Sequence, residues 1–266
     1  MRILALTVLS LFVCLSCHAT DANEQPERVL FVGNSLTYVG NVPAIYSALA
    51  VNNGRLVASD MIVRGGATLT QRASDGSVRR ALAEGRYTAL VLQERGGDLV
   101  CSFGPESCIN SRATIKSLAA LAKEQGVSVV LLGTYQPNPV ASRILVEKEG
   151  AAADEAGIFY IEVSEKLQEL RKVAPELAWF AADGMHPGKD LALLNAMLVH
   201  RALHGSLPNA EPLTVAAPIY GITTGLTETL RKADDPAPLP NMPNEVHYSS
   251  DTLERLLSLI GNASSG

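Results

Sequence analysis

The feature that most restricts the fold of this chain is a regular alternation of short apolar runs with longer segments of helical spacing. The clearest run, Val127–Leu132, is a continuous Val/Leu stretch with a glycine at either end, which is typical of a strand buried on both faces. The other runs that indicate strands are Arg28–Gly33, Leu56–Val63, Tyr87–Leu92 and Ile158–Val163. Strands that alternate with helices predict an α/β fold whose parallel sheet is covered on both faces.

The segments between these runs carry apolar residues at helical spacing and end in turn-forming residues. The predicted helices are Val42–Ala50, Leu69–Ala83, Ser111–Glu124, Ala141–Ala156, Ser164–Val173, Asp190–His204 and Thr252–Ile260. From about Pro208 the pattern weakens, and the Pro-rich segment Asp234–Pro243 is expected to run extended across the surface. Since 266 residues are an ordinary length for one such domain, we expect a single domain over residues 23–266 with a Pro-rich C-terminal extension.

Residues 1–22 are expected to be a signal peptide. Arg2 is followed by an apolar run, from Ile3 to Leu15, that is short for a membrane span, and the small residue Ala19 suits a cleavage site. Cys17 also resembles the end of a bacterial lipoprotein signal, but Cys14 stands where such signals usually carry Leu. The sequence therefore predicts export to the periplasm or outside the cell, without a membrane span in the mature protein, and favours this over a lipid anchor.

Charge and cysteine content restrict the partners. The net charge of −5 comes without a basic stripe, which argues against a nucleic acid as the main partner. Cys101 and Cys108 enclose a turn-prone loop, and after export a disulfide between them is expected. No histidine lies near them, so metal binding is a poor alternative.

One serine and one histidine stand out as candidates for catalysis. Ser35 follows Gly33 and Asn34 where an apolar run stops abruptly, and the carboxyl end of a strand is where α/β folds bind ligands. An ordinary helix cap is the alternative for this motif. His186 lies in a loop three residues after Asp183, and a serine nucleophile needs such a base and an orienting carboxylate. Three other histidines follow the expected signal peptide, at positions 200, 204 and 247. The first two are interpreted as surface residues on one helix, and the third as a residue of the C-terminal tail.

Three motifs in this order resemble the SGNH (GDSL-type) hydrolase superfamily over about residues 28–204. They are Gly33–Thr37, Gly65–Thr68 and Asp183–Pro187. The resemblance implies a flavodoxin-like, three-layer α/β/α sandwich and an ester hydrolase that uses no metal and no cofactor. It further implies that Ser35 is the nucleophile, His186 the general base and then acid, and Asp183 the group that orients His186. Gly66 matches the glycine whose N–H joins that of Ser35 in the oxyanion hole.

The chain departs from the family pattern in two places. Asn34 replaces the usual Asp before the serine, a mild change because that position supports the turn. The family also has a Gly-x-Asn-Asp motif that usually supplies a side-chain amide, and this chain has no Asn at the corresponding place. Gln93, at the end of the third strand, is the candidate for this third oxyanion donor, with Arg95 as the fallback and a purely structural Gln93 as the alternative. Glu94 is expected to be an exposed loop residue without a role.

These observations favour an exported serine esterase that acts on a small-molecule or glycan ester, for example as a deacetylase. A lipase, lysophospholipase or thioesterase would use the same residues but needs a long apolar groove. A non-catalytic binding protein on the same fold is the alternative from another class, since fold does not determine function. Trp179 and Phe180 are expected either to line the substrate site or to pack beneath the Asp183–His186 loop.

Overall fold

The computed structural model of the protein describes residues 25–262. The predicted signal peptide, including Cys14 and Cys17, lies outside these residues. Within the described range, no helix has the length and apolar character that crossing a membrane requires.

A six-stranded sheet forms the centre of the molecule, and two further strands form a small separate sheet. The strands are β1 Glu27–Gly33, β2 Val57–Arg64, β3 Tyr87–Leu92, β4 Ser128–Leu132, β5 Phe159–Ile161, β6 Leu213–Val215, β7 Thr227–Lys232 and β8 Val246–Tyr248. The strand order is β5-β4-β3-β1-β2-β7, and the first five strands of this order are parallel. The ends of β1, β2 and β3 therefore meet at one edge, as the sequence predicts.

Helices cover both faces of this sheet. They are α1 Ser35–Tyr38, α2 Val42–Asn52, α3 Leu69–Ser74, α4 Ser77–Glu84, α5 Pro105–Glu124, α6 Pro139–Ala156, α7 Ser164–Val173, α8 Lys189–His204 and α9 Ser250–Asn262. Alternate residues of β1 point into two separate cores, with Phe31 in one and Leu30 in the other. The first core packs α2, α7, α8 and α9 on the sheet, and the second packs α3, α4 and α5. The three-layer α/β/α fold is thus confirmed.

Two predicted helices have different bounds. The segment predicted as one helix from Leu69 to Ala83 is two helices, because Gly76 adopts a left-handed φ of 73° between them. Helix α5 begins at Pro105, inside the cysteine loop and before the predicted start at Ser111, because proline is well suited to the first turn of a helix.

The C-terminal segment contains more regular structure than the sequence indicates. Strand β7 pairs antiparallel with β2, so the otherwise parallel sheet has one antiparallel edge strand. Strands β6 and β8 pair with each other. Helix α9 buries Leu253, Leu256 and Ile260 in the core that α2 and α8 also form. The sequence of β7, Thr-Glu-Thr-Leu-Arg-Lys, lacks an apolar pattern because none of its side chains is buried, which explains why it was missed.

Candidate active site

The turn after β1 holds Ser35 at the carboxyl edge of the sheet. Asn34 is the N-cap of α1, and its side-chain Oδ1 accepts a hydrogen bond from the Leu36 N–H at 3.0 Å. A Cβ atom at Gly33 would overlap Thr37 Oγ1 and lie 3.1 Å from the Gln93 carbonyl oxygen. Glycine is therefore required at this position by the close approach of its neighbours, and the turn fixes Ser35 as the first residue of a short helix.

Three side chains from distant parts of the sequence form a hydrogen-bonded chain. His186 Nε2 lies 2.9 Å from Ser35 Oγ, and His186 Nδ1 lies 2.5 Å from Asp183 Oδ2. The second carboxylate oxygen of Asp183 accepts the backbone N–H groups of Met185 and His186, each at 3.0 Å. The backbone and side-chain N–H groups of His186, followed by the Met185 N–H, lower the pKa of Asp183 to about 2. Asp183 therefore stays ionised and fixes the imidazole in one orientation.

The turn after β2 presents a second backbone N–H at the same edge. The Ala67 N–H donates to the Arg64 carbonyl at 3.0 Å, which closes a turn in which Gly66 has a φ of 67°. Thr68 then begins α3 with a reciprocal capping box. Within the described residues, neither the Ser35 N–H nor the Gly66 N–H donates a turn, loop or side-chain hydrogen bond. Both groups are thus free to bind an anion.

The side chain of Gln93, the expected third donor, does not line the cleft beside Ser35. Gln93 is 1% exposed. Its Oε1 accepts the Thr37 hydroxyl at 2.7 Å, and its Nε2 donates to the Gly133 carbonyl at 3.3 Å. In this structure the Gln93 amide connects the turn after β1 with the end of β4. The sequence did not indicate these two partners, because they come from separate strands.

Glu94 is buried, not exposed as the sequence predicts. Its carboxylate is 1% exposed and accepts the backbone N–H of Leu69 at 3.0 Å, the backbone N–H of Arg95 at 2.9 Å and the Ser111 hydroxyl at 2.7 Å. Burial raises its pKa, although these hydrogen bonds oppose the shift. Glu94 therefore ties the start of α3, next to the Gly66 turn, to the end of β3 and to α5. Its position two residues after the end of a buried strand was the only signal in the sequence.

Arg95 extends from the same segment into the cleft. Its Nε and Nη2 bind both oxygens of the buried Asp98, at 2.8 and 3.0 Å, and its Nη1 lies 3.5 Å from the Gly66 carbonyl oxygen. The guanidinium carbon lies 3.8 Å from the ring centroid of Phe103. The hydrogen bonds to Asp98 raise the pKa of Arg95 above its ordinary value. This cation is therefore held in one position beside the Gly66 turn.

The cleft at the triad has a volume of about 510 Å³, within the range of small-molecule sites. Its lining residues are Asn34, Ser35, Leu36, Arg95, Gly96, Phe103, Tyr135, Gln136, Pro137, Phe180, Gly184, Met185 and His186. Trp179 is buried, and its indole N–H donates to the Ala174 carbonyl at 2.8 Å. Of the two aromatic residues singled out in the sequence, Phe180 thus lines the cleft and Trp179 is buried in the core.

Cys101 and Cys108 close a loop that contributes Phe103 to the lining of this cleft. Their sulfur atoms are 2.03 Å apart, at the distance of a disulfide bond, as the sequence predicts. The loop that the bond closes carries Phe103, the aromatic residue that stacks on Arg95. The disulfide therefore closes a loop that carries a side chain of the cleft, a relation that the sequence did not indicate.

The histidine pair on α8 is not on the surface as predicted. His200 is 2% exposed, and its Nδ1 lies 3.0 Å from the Ser206 carbonyl oxygen. His204 is partly buried, with its Nε2 3.0 Å from the Tyr46 hydroxyl. Within residues 25–262, no group of three or more His, Cys, Asp or Glu side chains could hold a metal ion.

No family model and no curated protein matches the sequence. Solved structures do match, among them a protein from Slackia heliotrinireducens assigned to the SGNH hydrolases, with 23% identity and a TM-score of 0.56. That match covers 67% of this chain and 100% of the other. TesA matches with 20% identity and a TM-score of 0.52, over 67% and 99% of the two chains. The chain has the fold of the SGNH hydrolases.

A variant of Axe2, an acetyl-xylooligosaccharide esterase from Geobacillus, has the same fold. It is 16% identical with a TM-score of 0.51, and the match covers 67% of this chain and 93% of that one. The flavodoxin-like SGNH fold that the three motifs imply is confirmed by these similarities. Part of this chain has no counterpart in the Slackia protein, which is matched over its entire length.

Proposed function

We propose that this protein is a serine ester hydrolase. The observation that carries the proposal is the continuous chain of hydrogen bonds from Ser35 Oγ to His186 Nε2, at 2.9 Å, and from His186 Nδ1 to Asp183, at 2.5 Å. A serine in contact with an oriented imidazole is the arrangement that nucleophilic acyl transfer requires, and we propose the N–H groups of Ser35 and Gly66 as the donors to the oxyanion. A helix cap alone would not explain a histidine that lies 151 residues away in the sequence.

The mechanism follows from this geometry. Ser35 Oγ attacks the ester carbonyl carbon while His186 Nε2 takes its proton, and Asp183 stabilises the imidazolium that forms. The carbonyl π electrons move to the oxygen, where the N–H groups of Ser35 and Gly66 bind the resulting anion. The intermediate then expels the alcohol, which receives the proton from His186. Water attacks the acyl–enzyme by the same steps in a second half-reaction and releases the acid.

The cleft supports a small ester as the substrate class. Its volume is about 510 Å³, and apolar side chains such as Leu36 and Phe180 line it beside Ser35. The Geobacillus protein with the same fold is an acetyl-xylooligosaccharide esterase. We therefore propose that a short acyl group, such as acetyl on a sugar or another small alcohol, is the group removed.

We also propose that the mature protein is exported. The Cys101–Cys108 bond supports this, because structural disulfides persist in oxidising compartments. Mass spectrometry of the protein from a cell envelope or culture fraction should find a chain that begins near Asp21. A mature chain that begins at a lipid-modified Cys17 would contradict simple export and support the lipoprotein alternative.

The test is hydrolysis of nitrophenyl acetate, butyrate and octanoate by the wild-type protein and by Ser35→Ala. We expect Ser35→Ala to keep its fold and lose about 10⁴-fold or more in kcat, because the nucleophile is missing. Ser258→Ala, at an exposed position of α9, is the matched control and should keep full activity. Turnover by folded Ser35→Ala would contradict the proposal. An octanoate preference would move the assignment towards a lipase, and inactivity of the wild type on every ester would favour a binding protein.

A further inference from the structure

The Arg95 side chain has no role in the mechanism above, although it lies in the same cleft as Ser35 and His186. Its guanidinium contacts the Gly66 turn, with Nη1 3.5 Å from the Gly66 carbonyl oxygen. It is the one Lys or Arg side chain that lines this cleft among the described residues, and no carboxylate lines it. A negative charge that develops on a substrate in this cleft would therefore meet one cation, Arg95, whose Nη1 contacts Gly66.

The position of Arg95 is determined by three contacts. Asp98 holds Nε and Nη2 through two hydrogen bonds and is itself 1% exposed. The ring of Phe103 lies against the guanidinium plane at 3.8 Å, in the loop closed by the disulfide. These contacts leave Nη1 as the nitrogen without a carboxylate partner. Because Nη1 carries two N–H groups and Gly66 O can occupy one, the other remains available to a ligand.

Three carboxamides, those of Gln93, Asn34 and Gln136, lie at or near the cleft. The Gln93 side chain is buried and bonded to Thr37 and to the Gly133 carbonyl. The Asn34 Nδ2 atom is buried and has no hydrogen-bond partner within the described residues. The Gln136 side chain lines the cleft, but no side-chain hydrogen bond within the described residues fixes its amide. Arg95 is a cleft-lining donor that is fixed in position, by Asp98, and that contacts Gly66.

We infer that Arg95 is the third donor of the oxyanion hole. This inference rests on the proposed esterase function. As the bond between Ser35 Oγ and the carbonyl carbon forms, the π electron pair moves to the oxygen, and one N–H of Arg95 Nη1 donates to that anion. The donor is charged, so the interaction strengthens as charge develops and acts mainly on the transition state. Asp98 is then a positioning residue, because it holds the guanidinium in this orientation without contacting the substrate.

The experiment compares nitrophenyl acetate hydrolysis by the wild type, Arg95→Ala and Arg95→Lys. We expect Arg95→Ala to lower kcat by about 10²–10³-fold with little change in KM, as loss of one oxyanion donor does. Added guanidinium ion, at concentrations that leave the protein folded, should restore part of the lost kcat in a saturable manner. Lysine keeps the charge but cannot bind Asp98 through two parallel hydrogen bonds, so Arg95→Lys should have an intermediate kcat.

Arg112→Ala is the matched control, because Arg112 also pairs with a carboxylate, Glu155, but lies on exposed α5–α6 surface. It should keep the wild-type kcat and show no response to guanidinium. An unchanged kcat in Arg95→Ala, an effect on KM alone, or a loss in the folded variant that guanidinium does not restore would each overturn the inference. If Arg95→Ala does not fold, the kcat of Arg95→Lys is the test instead. A kcat of Arg95→Lys equal to that of the wild type would then overturn the inference.

Failure of the esterase proposal is distinguishable from failure of this inference. An active wild type whose Arg95 variants are equally active overturns only the role of Arg95. A wild type that hydrolyses no ester and whose Ser35 does not react with a fluorophosphonate overturns the esterase proposal, and the role of Arg95 with it.

Discussion

At the scale of single residues, two glycines shape the site for different reasons. Gly33 is needed because a side chain would collide with Thr37, although its own backbone is not left-handed. Gly66 has open space around its Cα, but its φ of 67° is one that other residues seldom adopt. Substitution at Gly66 therefore tests backbone conformation without a steric clash.

We predict that Gly66→Ala lowers kcat more than its effect on stability explains. Gly54 is the matched control, since it also has a left-handed φ, 75°, with nothing within 4 Å, but it follows α2 away from the site. Both substitutions should destabilise the fold by about 1 kcal/mol, the cost of placing an L-residue in the left-handed region. Urea unfolding and ester hydrolysis measure the two effects, and equal kcat values in the two variants would contradict the role of Gly66.

At the scale of elements, α2 and α8 enclose a histidine pair with no link to the triad. The His200 and His204 rings are 4.7 Å apart, and the Tyr46 ring stacks on His204 at 6.0 Å. Burial, followed by the charges of His200 and Arg55, lowers the pKa of His204 to about 4. Burial also lowers the pKa of His200. Both helices therefore pack best when these rings are neutral.

We predict that stability falls in acid because of this pair. The folded-state pKa of His204 lies below its unfolded value, so its contribution is complete above about pH 6.5 and is lost as the pH falls towards 4. Between pH 7 and pH 4.5 the free energy of unfolding should fall by about 1–2 kcal/mol less in His204→Gln than in the wild type, a figure reduced because the side chain is partly exposed. His247→Gln is the control because its side chain is 66% exposed. Urea midpoints at both pH values measure this, and parallel curves for the two variants would contradict it.

At the scale of the whole molecule, the C-terminal segment supports the loops that carry the site. The Leu226 carbonyl accepts the Gly65 N–H at 3.1 Å, and the Tyr220 carbonyl accepts the Gly40 N–H at 2.9 Å. Asn41 Nδ2 donates to the carbonyls of Pro218 and Ala233, at 2.8 and 2.9 Å. The segment thus supports the connection between α1 and α2, which follows the helix that begins at Ser35, and the turn after β2 that contains Gly66.

We predict that Asn41→Ala is among the more costly single changes. It removes both long-range hydrogen bonds and the cap of α2, and it leaves alanine at a φ of 57°, so we expect a loss of about 2–4 kcal/mol. Asn138→Ala removes only a local cap, at the exposed start of α6, and should cost about 1 kcal/mol. Urea unfolding compares them, and equal losses would show that the C-terminal bonds contribute little.

The sequence by itself determined the local features of this protein. Strand β3, Tyr87–Leu92, has the predicted bounds because its buried residues, interrupted at Thr88 alone, end where polar residues begin at Gln93. Ser35, Gly66 and Gln93 follow the ends of β1, β2 and β3. They lie at one edge of the sheet because these strands are parallel, and the alternation of strands and helices implies parallel strands. The order of the three motifs was enough to predict that Ser35, Asp183 and His186 belong together, and the structure brings them into contact.

Only the tertiary structure decided which way the polar side chains at that edge point. Gln93 and Glu94 are adjacent in sequence and both buried, yet their partners, such as Gly133 and Ser111, come from elements that the sequence does not connect to them. The sequence did not predict strand β7 for a related reason, because β7 joins the sheet through backbone hydrogen bonds and buries no side chain. A hydrophobic pattern records which residues leave water, whereas hydrogen-bond partners depend on the distances that the finished fold creates.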